Sequence, residues 1–392
     1  LLQLAKAGAD VGIELFVMDD GWFSGRNDDT SSLGDWEPDP KKLPGGIASL
    51  SKKIKALGVD FGLWVEPEMI SEDSDLYRAH PDWALVISGR QPIRSRSQLV
   101  LDMSREDVTD YLTERICDIV EKADIQYIKW DMNRTFSEVF SNGNDREYQG
   151  KVCHKYILGV YELYERLTSR FPHVLFESCA SGGARFDPGM LYYAPQGWTS
   201  DDSDAIERLK IQYGTSMCYP LSSMGSHVSV VPNHQVFRNT PLHTRANVAY
   251  FGTFGYELDL LKLGEEDKAE IRRQIAFMKE KRDLIQKGTF YRLKSPFEGN
   301  ETAWMIVSED QKKALVGYYR VMQPVNVGFK RLKLKGLKED TCYKVSGYAY
   351  DCYGDELMQV GMILSDSASG VWKKGVNDKG DFQAEVFEIV AV

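Results

Sequence analysis

One pattern constrains the fold of this chain more than any other: short apolar runs that end abruptly in acid, each followed by a stretch with helical spacing. Tyr127-Ile128-Lys129-Trp130 leads into Asp131-Met132-Asn133-Arg134. Residues 13–18 lead into Asp19-Asp20-Gly21-Trp22, residues 59–65 into Glu66-Pro67-Glu68, residues 99–101 into Asp102, and residues 174–176 into Glu177-Ser178-Cys179. Residues 197–200 form a shorter run before Asp201-Asp202, and residues 220–224 and 248–254 are the last two candidates. Runs of aromatic and β-branched residues read as buried strands. Helical spacing alternates with them at residues 1–9, 47–57, 108–122, 151–170, 205–217 and 265–287, and Asp204 with Glu207 has the form of a capping box for the fifth of these. About eight strand-and-helix units in succession predict a (β/α)₈ TIM barrel over residues 1–287.

From Gly288 on the pattern changes. Residues 302–307 and 314–319 are strand-like runs separated by turn signals such as Glu298-Gly299-Asn300 and Lys335-Gly336, with no helical period. This predicts a small antiparallel β-sandwich over residues 288–392. A formal net charge of -10 supplies no basic face for nucleic acid or an anionic membrane, and no run of 18 apolar residues is present to span one. The 6 cysteines lack CxxC spacing, which predicts reduced thiols in a cytoplasmic protein. The 6 histidines form no HxH or HExxH pair. The chain opens on a helix-like stretch without Met, which predicts the C-terminal part of a longer protein.

In a parallel barrel the strand ends share one rim, and the rim is where catalytic groups sit. Carboxylates crowded there repel one another, so they need a divalent metal or a polyhydroxylated ligand to answer them. Acids without histidines suit magnesium, as in a metal-dependent barrel lyase. Trp22, Trp36, Trp64 and Trp198 beside the acids favour a sugar, whose C–H faces stack on indoles. Glycoside hydrolysis needs one carboxylate to attack or direct water and one carboxyl to protonate the leaving oxygen. Asp131, next to Lys129 and Arg134, has surroundings that favour its charged form. Asp201 lies between Trp198 and Asp202, where burial and a like charge would raise its pKa, and by chemistry alone Asp202 serves equally. Glu66 and Glu68 read as orienting groups, Asp102 as structural, and Asp35 and Asp82 as loop caps.

Taken together, these motifs resemble those of glycoside hydrolase family 36 α-galactosidases of the raffinose- and melibiose-cleaving kind. The resemblance is carried by Phe16-Val17-Met18-Asp19-Asp20-Gly21-Trp22-Phe23, Gly34-Asp35-Trp36, residues 61–69, His80-Pro81-Asp82-Trp83, residues 127–134, residues 177–183 and Trp198-Thr199-Ser200-Asp201. It implies a retaining double displacement without metal or other cofactor, with Asp131 as nucleophile and Asp201 as acid/base. It further implies galactose contacts from Asp19, Asp20, Trp64, Lys129, Asn133, Cys179, Gly182 and Trp198. Arg96 fits the family's substrate-binding arginine, with Arg94 close by. The family's N-terminal β-domain, which helps build a tetramer, has no counterpart in these residues. The expected partner is a small oligosaccharide. A sister specificity for N-acetylgalactosamine, transglycosylation, and a non-catalytic galactose-binding remnant are the rival readings.

Overall fold

The register of five short parallel strands decides where the chemistry can gather. The computed structural model describes residues 1–325, 330–364 and 380–392. Its first 201 residues contain strands β1 (Leu15–Met18), β2 (Asp60–Val65), β3 (Met69–Ile70), β4 (Leu99–Val100), β5 (Tyr127–Trp130), β6 (Leu175–Ser178) and β7 (Gln196–Gly197). Five of them form one parallel sheet in the order β1-β2-β5-β6-β7. Helix α1 (Leu2–Val11) precedes β1, and α2 (Gly46–Lys55), α3 (Asp75–Ala79), α4 (Glu106–Ala123), α5 (Val152–Arg170) and α6 (Pro188–Tyr193) lie between the strands. Helix α4 buries Val108, Leu112, Ile116 and Val120, the spacing that amphipathic helices present to a sheet. Between β1, β2 and β5 the backbones approach closely at Gly62. A Cβ there would lie 2.9 Å from Tyr127 Cβ and 3.1 Å from Val17 Cγ2, so a side chain would force the strands apart.

Residues 99–102, expected as the third parallel strand, do not join this sheet. Strand β4 pairs antiparallel with β3 through Met69↔Val100 and Ile70↔Leu99. The reason is that β2 and β5 pair directly, Gly62↔Tyr127 through Val65↔Trp130, which leaves no position between them.

By compactness the chain divides into Leu1–Asp201 and Asp202–Val392. In the second unit Asp204 caps α7 (Ala205–Thr215), its carboxylate accepting from the N–H groups of Ile206 and Glu207. Strands β8 (Gly225–Ser229) and β9 (Thr253–Glu257) form a parallel pair, with α8 (Leu242–Ala249) before β9 and α9 (Glu265–Lys287) after it. Both strands begin later than the sequence suggested. Leu221–Ser223 is a 3₁₀ turn, and Val248 belongs to the buried end of α8, because a short apolar run fits a buried helix end as well as a strand.

The remaining strands are β10 (Thr289–Lys294), β11 (Glu301–Val307), β12 (Lys313–Arg320), β13 (Arg331–Leu332), β14 (Cys342–Val345), β15 (Cys352–Tyr353), β16 (Met362–Ile363) and β17 (Gln383–Ala391). Six form an antiparallel sheet in the order β10-β11-β12-β17-β14-β15, and β13 pairs with β16. One face packs Ala303, Met305, Val316, Tyr318, Tyr343 and Ile389 into a core. The other carries Trp304, whose ring lies 5.6 Å from that of Phe251 and 5.0 Å from that of Tyr319.

Candidate active site

Parallel pairing sets the ends of β2, β5, β6 and β7 in one row. Asp131 N–H donates to Val65 O, Cys179 N–H to Trp130 O and Trp198 N–H to Ser178 O, each at 2.8 Å. The residues just past the strands therefore face one rim, as strand ends in a parallel sheet do. A cavity of about 150 Å³ opens there. Its walls include Asp19, Asp20, Trp64, Arg96, Asn133, Asp131 and Asp201 from the expected set. Asp131 and Asp201, remote in sequence, line the same space.

Asp131 is 7% exposed and held by three donors: Trp64 Nε1 at 3.0 Å and Asn133 Nδ2 at 2.8 Å on Oδ2, and Met132 N–H at 2.9 Å on Oδ1. Donors on both oxygens fix the orientation of the carboxylate. Arg134 does not contribute as its place in the sequence suggested. Its guanidinium turns away to Gln98 O at 2.6 Å, Thr135 O and Ser137.

Lys129 reaches Asp19 Oδ2 at 3.1 Å. Burial works against its charge, yet Asp19, then Glu177, the Cys179 sulfur and Asp131 raise its pKa. One cation thus answers several acids, which is what a crowded rim requires. Asp20 is gripped by Arg26, with Nη2 at 2.8 Å from Oδ2 and Nε at 3.1 Å from Oδ1. The thiol of Cys179 is buried against Asp131, and burial followed by that charge pushes its pKa up, so it stays a neutral donor.

Lys129, Cys179, Gly182 and Trp198, from the same expected set, are not among the residues lining this cavity. Gly182 has φ +82, and a Cβ there would come within 2.7 Å of Asp201 N and 2.8 Å of Ser200 Cα. Trp198 is buried at 4% exposure, three residues before Asp201. Arg96, with φ 51, lines the cavity, whereas Arg94 pairs with Glu72 through Nη2 at 2.9 Å. The carboxylate of Asp202 accepts from Asp204 N–H at 3.0 Å.

Four lining residues were not anticipated as part of the wall: Arg26, Asp29, Glu66 and Gln98. Arg26 and Asp29 lie in the polar loop after β1, where charge alone gave no signal. Glu66 accepts from Asn133 N–H at 2.6 Å and Gln98 Nε2 at 3.1 Å. Burial, then the neighbouring charge of Asp131, raises its pKa to about 7. Asp102 is buried beside Ser104 and Ser141. Asp35 caps α3 by accepting from Asp75 and Leu76 N–H, both at 2.9 Å, whereas Asp82, expected as a loop cap, instead pairs with Arg105 at 2.9 Å. All six cysteines are free thiols. Among the described residues no helix is long and apolar enough to cross a membrane.

Residues 1–288 match the Melibiase family model, and residues 301–389 match the glycosyl hydrolase family 36 C-terminal domain. The chain is 54% identical over 377 residues to the α-galactosidase AgaA of Geobacillus stearothermophilus, a match covering 95% of this chain and 52% of that protein. It is 50% identical over 366 residues to the bifunctional α-galactosidase/sucrose kinase AgaSK of Mediterraneibacter gnavus, covering 93% of this chain and 38% of the relative. The crystal structure of the Geobacillus enzyme superposes with a TM-score of 0.95 at 52% identity, over 100% of this chain and 53% of that one. An α-galactosidase from Lactobacillus brevis superposes with a TM-score of 0.96 at 47% identity, over 100% of this chain and 52% of that one. The chain spans about half the length, or less, of these relatives.

Proposed function

The chain belongs to glycoside hydrolase family 36, and from that membership and the cavity just described we propose that it carries the catalytic centre of a retaining exo-α-galactosidase. Its fold is that of the family, a (β/α)₈ barrel followed by a C-terminal β domain. The proposed substrates are oligosaccharides ending in α-linked galactose, of the melibiose and raffinose type. Variants of the Geobacillus enzyme have been seen in complex with raffinose and with stachyose.

The observation that carries this reading is the shared cavity of Asp131 and Asp201, walled by Trp64, Asp19 and Asp20. In the first step Asp131 attacks the anomeric carbon and the C–O bond to the leaving group breaks. Asp201 delivers its proton to the departing oxygen. In the second step Asp201 takes a proton from water, which attacks the same carbon and frees Asp131. The raffinose and stachyose complexes carry one replaced aspartate each, and the two replaced positions are 70 residues apart in that chain. Asp131 and Asp201 have the same spacing here, which supports pairing them.

The Asp20–Arg26 and Asp19–Lys129 pairs hold two carboxylates fixed in the wall, ready to accept hydrogen bonds from sugar hydroxyls. A cytoplasmic location belongs to the same reading, supported by the free thiols, and the full-length protein is taken to be a homotetramer. The test is hydrolysis of nitrophenyl α-galactoside and raffinose followed by proton NMR. Galactose released first as the α-anomer is expected. Initial release of β-galactose, or preference for the N-acetylgalactosamine analogue, would contradict the reading.

A further inference from the structure

Glu66 and Glu68 are buried, at 2% and 0% exposure, and neither takes part in the two steps above. A buried carboxylate is costly unless donors compensate it, so the donors reveal what each one is tied to. Glu66 accepts from the backbone N–H of Asn133 at 2.6 Å. The side chain of that same Asn133 donates to Asp131 Oδ2 at 2.8 Å. Glu66 is therefore one residue removed from Asp131.

Glu68 is tied elsewhere. Its Oε1 accepts from Trp130 Nε1 at 2.8 Å and Arg185 Nη2 at 2.6 Å, and its Oε2 from Tyr156 Oη at 2.6 Å and Arg185 Nη1 at 2.9 Å. Burial opposes its charge, but the guanidinium holds its pKa below the usual carboxylate range. Arg185 follows the glycine pair Gly182-Gly183 in the loop after β6. That loop is pressed against the backbone before the second aspartate. A Cβ on Gly182 would lie 2.7 Å from Asp201 N, and one on Gly183 would lie 2.3 Å from Thr199 O. The bidentate ion pair thus pins the loop on which Asp201 rests.

We propose that the turn Glu66-Pro67-Glu68 is a positioning element serving the two aspartates separately, Glu66 orienting Asp131 through Asn133 and Glu68 fixing Asp201 through Arg185. The inference rests on the reading of Asp131 and Asp201 given above. A buried ion pair is weak evidence for stability in itself, so a role in geometry is the more economical account of Glu68–Arg185.

The test compares kcat/KM of the full-length protein on nitrophenyl α-galactoside, whose leaving group needs little acid help, and on raffinose, which needs it. Arg185→Lys keeps the charge and loses the fork. It is expected to lower kcat/KM on raffinose about tenfold or more, and on the aryl galactoside by less than about threefold. Glu66→Ala is expected to lower both alike by about tenfold, with Glu66→Gln restoring most of the loss because its amide oxygen still accepts from Asn133. Equal losses for Arg185→Lys on both substrates, or none on either, would overturn the inference. So would a failure of Glu66→Gln to recover activity over Glu66→Ala. Glu68→Gln is read alongside Arg185→Lys. If neither of these variants folds, the pair is a structural bridge and the inference fails. An inactive wild type would sink the function reading and this inference with it, whereas an active wild type with unselective variants sinks this inference alone.

Discussion

The indole nitrogen of Trp64 donates a 3.0 Å hydrogen bond to Oδ2 of Asp131, joining the ends of two adjacent parallel strands. Trp64 is 3% exposed, and its ring meets Trp36 edge-on with centroids 6.4 Å apart, so the donor is held in place by packing. An aromatic residue in this position thus supplies both a wall of the cavity and a preset partner for the carboxylate.

Trp64→Phe separates these two contributions. Phenylalanine keeps an apolar ring and removes the donor. A hydrogen bond to a charged group is worth about 1.5–3 kcal/mol, so kcat/KM on nitrophenyl α-galactoside should fall roughly tenfold or more. Unchanged kcat with a raised KM would mean that Trp64 serves binding only.

Asp201→Asn should act through the leaving group. Without a proton donor, kcat/KM on raffinose should drop about 10³-fold, and on the activated aryl galactoside far less. Identical losses on both would move the acid/base role to another carboxyl, Asp202 first.

Gly182→Ala places a methyl group 2.7 Å from Asp201 N, at a φ of +82 that L-residues resist. The backbone carrying Asp201 must shift, so hydrolysis of raffinose should fall about tenfold or more while the melting temperature drops by only a few degrees. Full activity in this variant would show that the loop does not set the position of Asp201.

Glu66 gives a pH dependence with a definite sign. Its pKa is raised from 4.5 to about 7, first by burial and then by Asp131. The folded state therefore holds a proton that the unfolded chain has lost. The associated stability is fully present below about pH 4.5 and is lost as pH rises through 7, up to about 3 kcal/mol. Comparing melting temperatures of wild type and Glu66→Gln at pH 5 and pH 8 should show the wild type losing more. Parallel pH profiles would mean that Glu66 ionises freely in the fold.

Much of this architecture could be read from the residues. The strand at Tyr127–Trp130 was legible because aromatic and β-branched side chains end sharply in charge. The capping of α7 by Asp204 was legible because its signal is local. What escaped depends on partners distant in the chain. Strand β4 looked like another barrel strand because two residues, Leu99 and Val100, carry no mark of whether their neighbour is parallel or antiparallel. Arg134 was placed beside Asp131 by sequence proximity, but the backbone turns after the strand and sends the guanidinium to Gln98. The cavity wall formed by Arg26 and Gln98, and the tie from Glu68 to Arg185, arise from loops meeting across the sheet. No periodicity records such meetings.

The central claim is that Asp131 forms the covalent bond to galactose. The most direct measurement is to inactivate the full-length protein with a galactose-configured covalent inactivator, digest it and map the label by mass spectrometry. The account predicts one sugar adduct on the peptide carrying Asp131, absent in Asp131→Asn. A label on Asp201, Glu66 or any other acid would contradict it.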